Sequence, residues 1–407
     1  MGSRHARPGG PIRICFPFVG DRLGGSHISA LKLVQALDRH SFEPRVVLHE
    51  DGGRLAEFLR GEGIGYEVLA LPSLPSARTL SAAGAALHLA RVVPRIRAFL
   101  AAHGFDVVHS NDAQIHAAWG LAARLAGARL VWHHRGDPNA RGANLLAPAI
   151  ADHMITVSNF ARPNRPALSM DRRVSVIHSP FERPPVMPDR ASEAAMLRAE
   201  LGVPADTRIL GYFGNLVERK RPLLFVDVVD RVRRAMPDIP VVGCLFGISL
   251  PGRADLVTAA RQRAEELGVG DHVRLMGFRQ PVEPYLAATD ILLVPAVGEP
   301  FGRGLIEAMF LGTPVVATAH GGNLEAIEDG RTGFLVRPDD PDAFVPPVVA
   351  LLRDGTLFDR VSRAAREQAL LAYGVERHVA EVETVYRALR LRARPAPAPR
   401  LAGETLS

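Results

Sequence analysis

One segment in the second half of the chain places two glutamates on either side of two glycines and an arginine, a pattern suited to binding a charged ligand. The segment Asp290–Gly312 reads DILLVPAVGEPFGRGLIEAMFLG. Its apolar runs predict a buried strand, a loop, and a helix that begins near Gly302 and ends at Gly312, where glycine suits a left-handed cap. Glu299 then lies on the loop before the helix, and Glu307 lies in its second turn.

The start of this helix has the properties of a diphosphate site. The backbone N–H groups of Gly302, Arg303 and Gly304 have no partner inside the helix, and together with the helix dipole they attract anions. The two glycines allow a phosphate to approach the backbone closely. Glu307 can then accept hydrogen bonds from ribose hydroxyls, and Glu299 would face a sugar.

Arginine supplies almost all of the positive charge. The 407 residues have a formal net charge of +6, and lysine occurs only as Lys32 and Lys220. Lys220 lies at a predicted strand-to-helix turn, where an ammonium group can bind phosphate, although a solvated surface charge is the alternative. The arginines form no basic stripe beside an aromatic platform, which argues against nucleic acid as a partner.

Short apolar strands alternate with longer helical patterns along nearly the whole chain. This alternation predicts parallel sheets covered by helices on both faces. The expected strands are Ile12–Val19, Arg45–His49, Asp106–His109, Leu130–His133, Met154–Val157, Arg208–Phe213, Val241–Phe246, Val273–Met276, Ile291–Val294, Pro314–Ala317 and Gly333–Val336. The expected helices include Ser26–Leu37, Ala113–Ala126, Leu223–Ala235 and Ala254–Leu267.

The alternation is interrupted once, at Phe181–Asp189, which reads FERPPVMPD and resists both helix and strand. We therefore expect two doubly wound domains, residues 1–184 and 185–375, with a helix at 376–392 packing back on the first domain and a disordered tail at 393–407. Ligands of such sheets bind beyond the carboxyl ends of the strands, so the site is expected in the cleft between the domains.

The segment Glu299–Glu307 resembles the E-x7-E signature of retaining glycosyltransferases with the GT-B fold, the large family-four group (glycosyl transferases group 1). The resemblance covers most of the second half of the chain and, more loosely, the first half. It extends through Gly214–Lys220, Met276–Phe278, Ala287–Asp290, Gly312–Ala317, Gly321–Glu325 and Gly330–Gly333. It implies an α/β fold of two Rossmann-like domains facing across a cleft, and transfer from a nucleotide diphosphate sugar without a cofactor or bound metal.

The resemblance also implies roles on the donor side. Glu299 and Lys220 match the catalytic positions that orient the sugar and hold the diphosphate. The donor-binding positions are Glu307, Phe301, Gly302, Arg303, Gly25, Arg219 and Phe278. Asn215 stands where the family often has arginine, so Arg219 or Arg221 would have to substitute for it.

Two of these donor-side positions have an alternative interpretation. The Phe278 ring could equally belong to the core, with only backbone groups near the nucleobase. Gly24-Gly25-Ser26 resembles the family's phosphate-approaching loop, but it could instead be a tight turn that needs positive φ.

Acceptor contacts are expected at the strand ends of the first domain. Asn111 stands where related enzymes often place a histidine, and His109 or His116 could compensate for it. The next strand ends with His134 and Arg135, and arginine suits an acceptor that carries phosphate or carboxylate. The acceptor class, whether a glycan, a lipid-linked sugar or a small molecule, stays open.

Two alternatives to transfer also stay open: a nucleotide-sugar epimerase of the same fold, and a non-catalytic subunit that binds a sugar nucleotide.

Cys15 and Cys244 are expected to be small buried hydrophobes, which fits a reducing cytoplasm. Apolar runs are too short for a signal peptide or a membrane span. Leu80–Ala102, with three arginines, could contact the inner face of a membrane or be an ordinary surface helix.

Overall fold

The computed structural model describes residues 10–72, 81–184, 186–249 and 254–391. The tail expected at 393–407 and the last residue of the helix expected at 376–392 lie outside this part of the chain. The first half of the described chain forms β1 (Ile12–Phe18), α1 (Gly25–Ala36), β2 (Phe42–Leu48), α2 (Arg54–Gly61), β3 (Tyr66–Val68), α3 (Ala82–His103), β4 (Val107–Ser110), α4 (His116–Ala126), β5 (Arg129–His134), α5 (Ala147–Ile150), β6 (His153–Thr156) and β7 (Val174–Val176).

The second half repeats the same alternation of strand and helix. It forms α6 (Arg190–Leu201), β8 (Arg208–Phe213), α7 (Pro222–Ala235), β9 (Val241–Phe246), α8 (Leu256–Glu266), β10 (Val273–Gly277), α9 (Glu283–Ala288), β11 (Ile291–Val294), α10 (Arg303–Leu311), β12 (Val315–Thr318), α11 (Asn323–Ala326), β13 (Phe334–Val336), α12 (Val345–Arg353), α13 (Gly355–Ala372) and α14 (Val375–Leu391).

Both sheets are parallel and doubly wound, as the sequence predicted. Their strand orders are β3-β2-β1-β4-β5-β6-β7 and β10-β9-β8-β11-β12-β13. In each sheet the order reverses beside the first strand, between β1 and β4 and between β8 and β11. Ligands of doubly wound sheets bind in the crevice beyond the strand ends at such a reversal point. The topology therefore directs attention to the loops after these four strands.

The first sheet is buried on both faces, which explains why its strands read as nearly continuous apolar runs. Along β1, Ile14 and Phe16 enter one core cluster and Cys15 enters the cluster on the opposite face. The cysteine is fully buried, and burial raises the pKa of its thiol well above the usual range. Cys244 is buried in the same way in the second domain, so both cysteines are core residues, as expected.

Strand bounds followed the apolar runs closely in the second sheet and less closely at the edges of the first. The runs at 208–213, 241–246 and 291–294 form β8, β9 and β11 with the expected limits. The apolar pattern did not predict β3 and β7, which are three-residue strands at the two edges of the first sheet. Neither has a fully buried residue, so neither produces an apolar run that a pattern could detect.

The chain crosses between the domains at two adjacent places. The Phe181 N–H donates to the Tyr373 carbonyl at 2.9 Å, and Phe181 forms a parallel bridge with Gly374. After this second crossing, α14 inserts Val382 and Tyr386 into the core of the first domain. The last helix is therefore part of the first domain, although it follows the second domain in sequence.

The long helix α3 occupies most of the segment considered for a membrane surface. Its apolar side chains Val92 and Ile96 are buried in the first domain, and its arginines at 91, 95 and 97 are exposed. Leu80 lies outside the described residues. Within residues 10–72, 81–184, 186–249 and 254–391, no helix is long and apolar enough to cross a membrane.

A carboxylate of the second domain joins the two domains directly. Glu325 of α11 accepts hydrogen bonds from the N–H groups of Asn159 and Phe160, at 2.8 and 2.9 Å, in the segment after β6. Beside it, the Ser158 hydroxyl donates to the Pro300 carbonyl at 2.5 Å. These contacts hold the loop before α10 against the first domain.

Replacing Glu325 with glutamine is expected to destabilise the protein by about 2–3 kcal/mol at pH 7. Burial opposes ionisation of this carboxyl, but the nearby His178 ring and the hydrogen bonds from Asn159 and Phe160 lower its pKa to about 2. A depressed carboxyl pKa stabilises the fold above the unfolded-state value, and this contribution is lost as pH falls towards 2. In thermal melts, the difference in melting temperature between wild type and Glu325→Gln should therefore become smaller below about pH 4.5.

The matched control is Glu328→Gln, three residues further on. Glu328 is exposed and pairs with Arg331 on the same surface, so its replacement should change the melting temperature little at any pH. Equal effects of the two substitutions would contradict an interdomain role for Glu325.

Candidate active site

The loop between β11 and α10 carries Glu299, and neighbouring segments hold its backbone in place. The Gly298 N–H donates to His320 Nδ1 at 2.9 Å, and the Gly322 N–H donates to the Glu299 carbonyl at 2.8 Å. Gly321 has φ +66°, and a Cβ atom there would lie 2.6 Å from the Glu299 carbonyl oxygen. The two glycines after β12 are therefore needed because the loop passes so close to them.

Two cationic side chains approach the Glu299 carboxylate. Arg219 Nη1 lies 2.6 Å and Lys220 Nζ lies 3.8 Å from the same oxygen, Oε2. Both cations lie on a short 3₁₀ turn, Glu218–Lys220, that follows β8. The Val297 N–H donates to the Arg219 carbonyl at 2.9 Å, so a backbone hydrogen bond joins the loops after β8 and β11. The topology thus brings together residues eighty positions apart.

Lys220 lies directly over the backbone at the end of β8. Gly214 has φ +137°, and a Cβ atom at this position would lie 2.4 Å from Lys220 Nζ. Any larger residue would both strain the backbone and displace the ammonium group. The glycine therefore determines where the lysine charge is held.

Arg219, rather than Arg221, occupies the place near Glu299. Arg221 turns to another surface, where its Nε donates to Asp339 at 2.8 Å. Asn215, at the position where the family often has arginine, is exposed. Of the two arginines that the sequence offered as substitutes, Arg219 is therefore the one that lies beside Glu299.

The amino end of α10 faces the amino end of α1 across the domain boundary. Arg303 donates from Nη1 to the Ser29 hydroxyl at 3.0 Å and pairs through Nη2 with Glu307 at 2.9 Å. Its guanidinium lies 4.5 Å from the centre of the Phe181 ring. A Cβ atom on Gly25 would lie 2.4 Å from Arg303 Cδ. The carboxyl-end loops of both sheets therefore meet at Arg303.

Gly24 and Gly25 do not form the positive-φ turn that was one expectation. Gly24 caps α1 with φ −150°, in the extended region, and neither glycine is among the described positive-φ residues. Gly25 is needed instead for the close approach of Arg303 from the other domain.

The rings of Phe301 and Phe278, both expected on the donor side, lie in different environments. The Phe301 ring is 7% exposed and packs against His178, Phe181 and Tyr373. The ring therefore belongs to an aromatic cluster of the core, and the donor-binding role expected for Phe301 stays a prediction. Phe278 is 65% exposed at the end of β10, which rules out the core alternative for it.

His109 also lies in a different environment from the one expected. Its side chain is completely buried, with Nδ1 against the Tyr386 hydroxyl and Nε2 3.0 Å from His133 Nδ1. Burial, and to a smaller extent the nearby Arg135, lowers the pKa of His109 well below the usual value. Both ring nitrogens are engaged inside the first domain. The expected contact between His109 and an acceptor is therefore not possible in this structure.

The other acceptor-side residues lie at the carboxyl ends of β4 and β5. Asn111 is 6% exposed, and its Oδ1 has no hydrogen-bond partner among the described residues. His134 Nε2 lies 3.0 Å from the Asp137 carbonyl oxygen, which closes the loop after β5. His116 is buried against Trp132, with ring centres 4.1 Å apart. Arg135 contacts Ser179, and its Nη1 donates to that hydroxyl at 2.8 Å.

Sequence reasoning missed the residues that support these positions. Ser29 and His320 act by holding a partner that is distant in sequence, and no local pattern indicates such a contact. Glu325 was identified only as part of the family resemblance. Its bonds to the first domain could not be inferred from the second domain alone.

Comparisons with known proteins agree with this architecture. Two family models match the chain: Glycosyltransferase Family 4 over residues 23–182 and Glycosyl transferases group 1 over residues 207–354. A D-inositol 3-phosphate glycosyltransferase of Nocardiopsis dassonvillei is 30% identical over 310 residues, which are 70% of each chain. The enzyme of the same name from Corynebacterium urealyticum is 30% identical over 214 residues, so the chain spans about half the length of that relative.

Solved structures share the fold across nearly the whole chain. HepE of Anabaena, solved in complex with UDP-glucose, has a TM-score of 0.75 at 24% identity and covers 93% of this chain and 100% of its own. A glycosyltransferase from Rickettsia africae has a TM-score of 0.76 at 16% identity, covering 94% and 100%. The fold and the paired loops define the GT-B architecture. The chain belongs to the glycosyl transferases group 1 family.

Proposed function

We propose that the protein transfers a sugar from a nucleoside diphosphate sugar to an acceptor hydroxyl, with retention of anomeric configuration and without a metal ion. The acceptor is a glycan, a lipid-linked sugar or a small molecule. The observation that carries this proposal is the convergence of Lys220 and Arg219 on Glu299, beside the amino end of α10. An anionic leaving group is stabilised best by fixed positive groups of this kind.

The nucleotide donor is supported by this chain's residues and by its relatives. The free N–H groups at the start of α10 and the Lys220 ammonium suit the two phosphates. Glu307, one turn further along, suits ribose hydroxyls. HepE was solved with UDP and with UDP-glucose, and the D-inositol 3-phosphate glycosyltransferases support a small molecule among the possible acceptors.

The environment of Glu299 favours a front-face reaction. Its Oε2 is already bonded to Arg219 at 2.6 Å, and a carboxylate so engaged is a poor nucleophile for a double displacement. In the proposed step the bond between the anomeric carbon and the leaving phosphate oxygen breaks, and a bond to the acceptor oxygen forms on the same face. The acceptor proton passes to the leaving phosphate, whose charge Lys220 and the helix end neutralise.

A thermal-shift panel of uridine, guanosine and adenosine diphosphates and their sugars tests the proposal. A matching nucleotide at 100 times its Kd is expected to stabilise the protein by about 2.7 kcal/mol. The same preparation is then incubated with donor, a mixture of acceptors and a chelator. NMR of the product should show the same anomeric configuration as in the donor. Binding by none of the panel would refute the proposal, and conversion of donor without acceptor would indicate an epimerase.

A further inference from the structure

Arg135 is a partly buried cation at the carboxyl end of β5 with few partners. Its Nη1 donates to Ser179 Oγ at 2.8 Å and its Nη2 to His133 Nδ1 at 3.4 Å. Its Nε is buried and has no hydrogen-bond partner within the described part of the chain. Among the ion pairs of the described residues, none involves Arg135, whereas Arg129 of the same strand pairs with Asp152 at 2.7 Å.

The charge around Arg135 is positive rather than negative. Burial and, next, the charge of Arg303 lower the pKa of the Arg135 guanidinium to about 9. Arg303 has a carboxylate partner in Glu307, but Arg135 has only neutral ones. A charge that is partly removed from water and has no counter-charge opposes folding, so Arg135 destabilises the protein unless another group balances its charge.

Behind Arg135 lies a hydrogen-bonded row of three side chains, His133, His109 and Tyr386, which offers no counter-charge. Because Arg135 donates to His133 Nδ1, that nitrogen is an acceptor, and His109 donates to it through Nε2. His109 Nδ1 must then accept from the Tyr386 hydroxyl. Burial lowers the pKa of both histidines far below neutral. This row of hydrogen-bonded side chains is therefore neutral, and it ends at the Arg135 guanidinium, whose charge is not balanced.

The position of Arg135 separates it from the groups assigned to the donor diphosphate. It lies on the first domain, beyond β5, and is linked to the segment 179–181 between the domains. Ser179 of this segment contacts Arg135, and Phe181 contacts Arg303. The diphosphate groups, Lys220 and the start of α10, belong to the second domain. The two arginines thus flank one short segment from opposite domains.

We propose that Arg135 binds a phosphate or carboxylate group carried by the acceptor. The proposal rests on the proposed transfer function, because it assigns the donor to the second domain. Guanidinium groups hold such anions through paired hydrogen bonds, and the Ser179 hydroxyl lies within the same cluster. An acceptor anion would supply the counter-charge that the protein itself does not.

Inorganic phosphate is the probe, titrated into protein saturated with the nucleoside diphosphate found in the panel above. Wild type is expected to bind phosphate, and Arg135→Gln to bind it at least tenfold more weakly. Arg135→Lys, which keeps the charge but loses the paired donors, should fall between them. The control Arg337→Gln, at a side chain 84% exposed, should match wild type. Nucleotide affinity should be the same in all four proteins.

Several outcomes would overturn the proposal. Failure of phosphate to bind the nucleotide-saturated wild type is one, and unchanged phosphate binding by Arg135→Gln is another. Weaker nucleotide binding by Arg135→Gln would place Arg135 with the donor diphosphate instead. If no nucleotide binds, the transfer function fails, and phosphate titrated into the free wild type and variant still tests the anion site.

Unfolding separates a ligand-binding role from a structural one. Since Arg135 has no carboxylate partner, Arg135→Gln is expected to melt at the wild-type temperature or above it. A drop of several degrees would show that the guanidinium supports the fold, and the proposal would then be wrong.

Discussion

Replacing Glu299 with glutamine is expected to lower kcat about 10²–10³-fold, with less than about a threefold change in nucleotide affinity. The carboxylate, 8% exposed, pairs with Arg219 and lies 3.8 Å from Lys220. Glutamine fills the same volume but carries no charge, so the two cations lose the group that orients them beside the sugar. Steady-state kinetics with the identified donor and acceptor, together with titration of the nucleotide, give both numbers.

Glu307→Gln is the matched comparison because the second acid has a different expected role. It pairs with Arg303 on α10 and is proposed to bind ribose, so its replacement should weaken the nucleotide more than it lowers kcat. Full turnover by Glu299→Gln, or the opposite pattern in the two variants, would show that the roles of the acids are assigned wrongly.

Lys220→Gln is expected to weaken nucleoside diphosphate binding and to lower kcat/KM about 10²–10³-fold. Lys220 is the cation placed over the Gly214 backbone at the end of β8. Its loss removes the positive charge that stabilises the diphosphate. This stabilisation is greater in the transition state than in the ground state, because negative charge builds up on the leaving group there. Gly214→Ala should produce part of the same loss, because its Cβ would lie 2.4 Å from the ammonium nitrogen.

The composition of the chain offers a direct control. Lys32 is the other lysine, and it forms an ion pair with Glu182. Lys32→Gln should leave nucleotide affinity unchanged. With only two lysine side chains to modify, amine labelling followed by mass spectrometry should show nucleotide protecting Lys220 and not Lys32. Equal protection of both, or normal kcat/KM in Lys220→Gln, would contradict the proposed role.

The sequence by itself determined the features that depend on neighbours along the chain. Alternating apolar runs and helical patterns predicted two parallel sheets, because a strand buried on both faces must be apolar throughout. The loop that carries Glu299, the helix that carries Glu307 and the left-handed cap at Gly312 were predictable for the same reason. Each is decided within one strand–loop–helix unit, where residue type and spacing are sufficient.

Only the tertiary structure decided which of the polar residues at the strand ends are accessible and what they contact. His109 and Arg135 are both polar residues near the carboxyl ends of adjacent strands, yet one is closed off by Tyr386 of α14 and the other lies near Arg303. The Phe301 ring belongs to the core, and Gly25 adjoins Arg303. These contacts join segments hundreds of positions apart, and their distances depend on how two domains and a returning helix pack together.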